Sequence, residues 1–282
     1  MRWLALLCLG VVLPAQAGRV VTLAPHLAEL VCAAGACDQL VASVAHTDYP
    51  PAAARLPQVG DAFAVNLEAL LALQPDQVIA WDGGTPPALI ARLRQLGLSV
   101  HPLGVGRIDD VAAALLDLGE RLGTSAAASQ AAAAFRTRQA RLAAAYAGRL
   151  PLRAMYQIET DPVFSVNRDS PISEALALCG AVNVFADLPQ IAAPVGREAL
   201  LAARPQVVVF GIQDDAAAIR ALWAGWPPPR PALVAVDASL LARPSPRMLD
   251  GVEDLCRQLD GVRDQMTSPP ASRASTRAQT NR

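Results

Sequence analysis

The chain has almost no excess of charge: 24 Lys and Arg stand against 25 Asp and Glu, a formal net charge of −1. A protein that grips nucleic acid needs basic side chains in surplus to neutralise phosphates, so no nucleic-acid partner is expected. Aromatic residues are scarce at 4% and histidines number 3, so each ring can be followed individually. Catalytic signatures are also missing. There is no GxSxG turn to expose a serine, no GxxxxGK[ST] loop to cradle a phosphate and no HExxH pair to hold zinc. GVGRID at Gly104 is a glycine-bearing strand-to-helix turn without the full dinucleotide spacing. The expectation is a binding protein, not an enzyme, with no catalytic cofactor.

Long apolar runs are lacking too, despite 53% hydrophobic residues, except at the start: MRWLALLCLGVVLPAQA. Arg2 supplies a positive end, Leu4 to Leu13 an apolar stretch and Ala15-Gln16-Ala17 a small-x-small cleavage site. The stretch is too short for a hydrocarbon layer of roughly 30 Å, which needs about 20 residues. It reads as a secretory signal cleaved after Ala17, which makes the mature protein an exported one. Lipid attachment at Cys8 would need a longer apolar stretch ahead of it. Removing Cys8 leaves Cys32, Cys37, Cys179 and Cys256. An even count in an oxidising compartment suggests disulfides in one of three connectivities, with four buried thiols as the alternative. None of the four forms a CxxC pair, which argues against zinc.

What is present is alternation. RVVTLA reads as a strand, PHLAELVCAAG as a helix opened by Pro25 and closed at Gly35, and LVASVA as a second strand. Asn66 is a natural N-cap for NLEALLALQ, which Pro75 ends before the buried strand QVIAW. PPALIARLRQLG, SVHPLG and DDVAAALLDLGERLG continue the pattern. After RAMYQI it resumes with SPISEALALCG, GREALLAARP, QVVVFG, DDAAAIRALWAGW, ALVAVD and SPRMLDGVEDLCRQLDG. Strand–helix–strand repetition of this kind predicts parallel sheets. Between the two runs, the alanine-rich stretch from Ser125 to Tyr146 predicts one stiff helix, capped by Thr124 or Ser125 and about 33 Å long.

The fold class is therefore α/β, with two Rossmann-like lobes of parallel sheet joined by one long α-helix. The expected boundaries are a signal over 1–17, a first lobe over 18–123, the linking helix over 124–150, a second lobe over 151–262 and a tail without stable structure over 263–282.

One sentence is written twice. EALLALQPDQVIAW from Glu68 to Trp81 returns as EALLAARPQVVVFG from Glu198 to Gly211. Helix–Pro–strand is a common connection, but it does not require glutamate at both openings. In open α/β sheets, ligands gather outside the carboxyl ends of strands. His26 and His46 are expected there, His101 is not, and Asp48 could join the first two as a metal ligand. Tyr49, Phe63 and Trp81 in the first lobe and Phe164 in the second are candidates for holding a large flat ligand.

HTDYPP (His46–Pro51), NLEALLALQPDQVIAW and ARPSPR (Ala242–Arg247), with the TLAP start and LALCGAVNVF, carry a resemblance. The chain resembles the periplasmic cobalamin (vitamin B12)-binding proteins of ABC importers, which belong to the helical-backbone class of receptors, over nearly all of its mature length. The resemblance implies a monomeric periplasmic receptor that holds a corrinoid, cobalamin or cobinamide, between two lobes. It also implies that Glu68 and Glu198 dock on arginines of the importer's two membrane subunits, once per lobe. Trp81 and Ser239, Leu240, Leu241, Ala242 and Arg243 match stretches that line the family's cleft, with Tyr49, Phe63 and Phe164 as neighbours. Arg243 would be a cation in that cleft. Cys179 and Cys256 match the family's disulfide, which leaves Cys32–Cys37 as a second, local bridge.

The sequence departs from the family at two places. His46 stands where a tyrosine faces the ligand, and Ala192 where a tryptophan does. His46 is expected against the corrin face, either as a ligand to its cobalt or as a hydrogen-bond partner of its amide side chains. The competing readings are a haem or siderophore receptor, which His46 or Tyr49 would also suit, and a secreted two-lobed enzyme, for which no nucleophile with a base partner is present.

Overall fold

In the computed structural model, which describes residues 18–61 and 63–267, the first half of the chain runs β1 (Val20–Thr22), α1 (Pro25–Ala33), β2 (Leu40–Ala42), α2 (Pro51–Ala54), α3 (Leu67–Ala72), β3 (Gln77–Trp81), α4 (Pro87–Gln95), β4 (Val100–Leu103) and α5 (Asp110–Arg121). Helix α6 (Ser125–Tyr146) follows. The second half runs β5 (Leu152–Gln157), β6 (Phe164–Val166), α7 (Pro171–Leu178), β7 (Ala181–Asn183), β8 (Ala192–Pro194), α8 (Arg197–Ala203), β9 (Val207–Gly211), α9 (Ala216–Ala224), β10 (Ala232–Val236), α10 (Ala238–Leu241) and α11 (Met248–Thr267).

The two sheets have one topology. The first is ordered β2-β1-β3-β4 and the second β7-β5-β9-β10, and every pairing within them is parallel. Strand β3 therefore corresponds to β9, and the helices before them, α3 and α8, occupy equivalent places. That is where the repeated sentence lies. Strand periodicity divides the side chains between two faces. Val20 and Ile79 enter a core that continues through Phe135 and Leu142 of α6 to Val207, Val209 and Leu255 of the second half. Val21, Val78 and Leu70 pack on the other face of the first sheet, and Met155, Val208, Phe210 and Trp223 on the other face of the second.

Local chemistry explains the element ends. Asn66 Oδ1 accepts from the Ala69 amide at 3.1 Å, and Gln74 turns left-handed (φ 46°) before Pro75. The 22 residues of α6 match the sequence expectation, but its cap does not. Thr124 makes no capping bond, and Ser125 Oγ donates instead to the Gly119 carbonyl at 3.3 Å. Gly119 is where α5 and α6 touch: an added Cβ there would stand 2.2 Å from Ala128 Cβ. The cysteines are joined as Cys32–Cys37 and Cys179–Cys256.

Three features were not anticipated. Strand β7 is three residues long with an exposed centre, too short to announce itself. The antiparallel pair β6–β8 joins residues on either side of α7 and β7. Helix α11 continues through Thr267, which corrects the expected tail at its first five positions. Arg263 explains the extension: it is buried, and its guanidinium donates to the carbonyls of Leu150 at 2.8 Å, Cys179 at 2.7 Å and Gly180 at 3.1 Å. The rest of that tail, 268–282, and the proposed signal, 1–17, lie outside the described residues. No helix among the described residues is long and apolar enough to cross a membrane.

Candidate functional site

The carboxyl ends of the two sheets meet. The loop after β2 carries Asp48, whose carboxylate takes Arg243 Nη1, from beyond β10, at 2.5 Å. Arg243 Nη2 also donates to the His46 carbonyl at 3.2 Å. The cation expected in the cleft is thus paired with the opposite lobe, because two acceptors there lie within its reach. A second crossing lies at Glu174 of α7, which accepts from the Ile108 amide at 2.6 Å and pairs with Arg107.

His26, one residue into α1, is 4% exposed and stands edge-on to the indole of Trp81, with ring centroids 5.2 Å apart and planes at 84°. Its Nε2 makes no hydrogen bond. Burial first, and the charge of Arg243 second, push its pKa down to about 4, so the ring is neutral at neutral pH. Trp81 ends β3 half-buried, and its amide donates to Thr85 Oγ1 at 3.0 Å. The backbone of Gly84 lies flat against the indole: a Cβ there would fall 1.9 Å from a ring carbon. Trp81 is therefore held between a glycine on its face and an imidazole set nearly perpendicular to it.

The remaining expected residues are spread around this boundary. His46 is exposed in a left-handed conformation, φ 65°. Tyr49 is 40% exposed, with the Arg247 guanidinium stacked 3.9 Å from its ring centroid. Phe63 is 68% exposed. Phe164 is half-buried on β6, opposite Pro194. Ser239 donates through its hydroxyl at 2.6 Å and its amide at 2.9 Å to Asp237, which also takes Gln213 Nε2 at 2.8 Å. Burial opposes the charge of Asp237, yet these bonds hold its pKa below the usual carboxylate range. Tyr156, pushed up by burial and then by Asp214, stays a neutral phenol.

Leu240 is half-buried and Ala242 exposed, but Leu241 is fully buried and belongs to the core. The expectation that Leu241 lines the cleft is corrected, because the turn of α10 points it inward. Ala192 is exposed on β8. His101 is away from the boundary, bound to Asp117 at 2.6 Å. No group of three or more His, Cys, Asp or Glu among the described residues is placed to hold a metal ion, so His26, His46 and Asp48 do not converge. Glu68 and Glu198 are both exposed in the first turns of α3 and α8. Sequence reasoning missed Glu29, Gly84, Gln213, Ser245, Arg247 and the exposed Ile212, although Ile212 directly follows a carboxyl strand end and could have been found by that rule.

The family model described as "Periplasmic binding protein" matches residues 20–222. The chain belongs to the periplasmic binding protein family. It is 36% identical over 251 residues to the vitamin B12-binding protein of Vibrio cholerae, covering 87% of this chain and 90% of that protein. It is also 36% identical to the vitamin B12-binding protein of Yersinia pestis, covering 89% of each. Among solved structures, the periplasmic vitamin B12 binding protein of Vibrio cholerae superposes with a TM-score of 0.77 at 34% identity, covering 87% of this chain and 98% of that one. A periplasmic heme-binding protein solved with two hemes superposes with a TM-score of 0.78 at 26% identity, covering 87% and 98%.

Proposed function

We propose that this chain is a periplasmic, non-enzymatic receptor that captures a corrinoid, cobalamin or cobinamide, between its lobes and delivers it to an ABC importer. Residues 1–17 are its export signal, cleaved after Ala17, and it works as a monomer. The observation that carries the reading is the meeting of both carboxyl strand ends at Arg243–Asp48, beside a Trp81 fixed by His26 and Gly84. Such a boundary is where an α/β receptor holds a ligand, and a half-buried indole suits a large flat one. The vitamin B12-binding names of relatives at 36% identity point to the corrinoid. Tyr49, Phe63, Phe164, Ser239 and the exposed His46 are the further contacts.

Glu68 and Glu198 are the docking groups. Both are exposed at equivalent places in two lobes of one topology, and a pseudo-twofold receptor can present such a pair to two membrane subunits. Charges of this kind chiefly steer and orient the encounter.

An absorption titration of the purified mature protein with aquocobalamin, with aquocobinamide and dicyanocobinamide, and with haemin tests the ligand. Saturable corrinoid binding is expected, and a shifted visible band lost in His46→Ala would assign cobalt ligation to His46. Haemin binding without corrinoid binding would replace this reading with the second one, a heme receptor, which the heme-binding structural neighbour favours. Glu68→Ala with Glu198→Ala should leave titration unchanged and abolish importer-dependent uptake.

A further inference from the structure

Two of the motifs that carry the resemblance, HTDYPP and ARPSPR, touch each other across the lobe boundary, and at their centre is a residue that neither contains. Glu29 of α1 has a side chain only 2% exposed. Its carboxylate accepts from Ser245 Oγ at 2.6 Å and from Arg247 Nε at 3.0 Å on one oxygen, and from Arg247 Nη2 at 2.8 Å on the other. Arg243 Nη1 lies 3.8 Å from that second oxygen. All these donors belong to the opposite lobe. The guanidinium of Arg247 also covers the Tyr49 ring at 3.9 Å and stands 3.9 Å from Asp48. Two cations and two carboxylates close the circuit, so these four groups together carry no net charge.

We propose that Glu29, Ser245 and Arg247 are the positioning residues of the cleft: a latch that fixes the separation of the lobes and holds Tyr49 and Arg243 in place at its mouth. A buried ion pair adds little net stability, because desolvation consumes most of the attraction. Its distinct effect is geometric. A bidentate guanidinium–carboxylate contact accepts one orientation, and a lysine cannot reproduce it or stack on a ring. The intervening residues serve the same end. Pro244 and Pro246 separate Arg243, Ser245 and Arg247, and each fixes one backbone dihedral, so Ser245 and Arg247 reach Glu29, and Arg243 reaches Asp48, from one stiffened segment. With the latch, the lobes are held on the side of the boundary marked by α1 as well as through α6.

The latch exists whatever the ligand, while its effect on binding rests on the corrinoid reading, and two measurements separate these. In the ligand-free protein, spin labels at Arg92→Cys on α4 and Arg220→Cys on α9, both exposed, report the distance between the lobes. Arg247→Lys and Glu29→Gln are expected to broaden that distance distribution, and Ser245→Ala, which keeps the ion pair, to broaden it less. In the liganded protein, aquocobalamin chased by excess competitor should dissociate about 10-fold faster from Arg247→Lys, with an association rate within about 3-fold of the original. The double variant Glu29→Gln/Arg247→Lys should be no worse than either single one, as for residues of one network. A role in stability alone would lower the melting temperature and leave both readouts unmoved; unchanged distance distributions in all three variants overturn the latch. If the unaltered protein binds no corrinoid, the receptor reading has failed and the distance measurement still decides the latch.

Discussion

Lowering the pH should act on this protein through His26. Its pKa is pushed from 6.5 down to about 4 by burial and the charge of Arg243. The unfolded chain therefore binds a proton that the folded chain refuses throughout the interval between those values. The sign follows: stability from this group is complete above about pH 6.5, declines as pH falls, and is fully lost below about pH 4. The whole interval is worth about 3 kcal/mol, and the part between about pH 7.5 and pH 5 about 2 kcal/mol. His26→Phe is the control. It keeps a ring against Trp81 and cannot titrate, so subtracting its pH profile removes the carboxylates and the other histidines. Urea unfolding followed by circular dichroism at both pH values gives the two differences. The native protein should lose about 2 kcal/mol more than the variant. Parallel losses would refute the reasoning, because they would mean that the imidazole gains a proton in the folded state without difficulty.

Gly84→Ala would place a Cβ 1.9 Å from the Trp81 indole, so the ring must move; fluorescence of Trp81 should change and aquocobalamin affinity fall at least about 10-fold, the scale of a displaced aromatic anchor. Gly119→Ala sets two effects against each other. Helix propensity favours alanine by about 1 kcal/mol, but its Cβ would stand 2.2 Å from Ala128 Cβ, and overpacking costs about 1–3 kcal/mol; a net loss in thermal stability is expected, and a gain would show that α6 yields. Replacing Cys179 and Cys256 by alanine frees a loop of separation 77, at a chain-entropy cost of about 4 kcal/mol, against about 2 kcal/mol for the separation of 5 at Cys32–Cys37. Denaturant midpoints of the two double variants should preserve that order.

Much of the fold is legible because its signals are local. Proline and glycine punctuation, the Asn66 cap and the buried runs QVIAW and VVVFG each depend on neighbours within a turn or two. The capping of α6 is not legible in the same way: Thr124 makes no capping bond, and the Ser125 hydroxyl turns back to the Gly119 carbonyl at the end of α5. Arg263 looked like the start of a polar tail, since only the folded chain brings it the carbonyls of Leu150, Cys179 and Gly180. Leu241 was placed in the cleft because a short segment does not reveal which way one turn of helix will face.

Sequence alone determined the two α/β runs, the stiff helix between them and the repeated glutamate, because hydrophobic period and helix ends are written in adjacent residues. Only the tertiary structure decided that Arg243 is already paired, that Trp81 rests on Gly84 and His26, and that Glu29 is bound by Ser245 and Arg247. Those contacts join residues up to 218 positions apart, and their strength comes from burial, which a charge or a ring acquires only once the chain has closed around it.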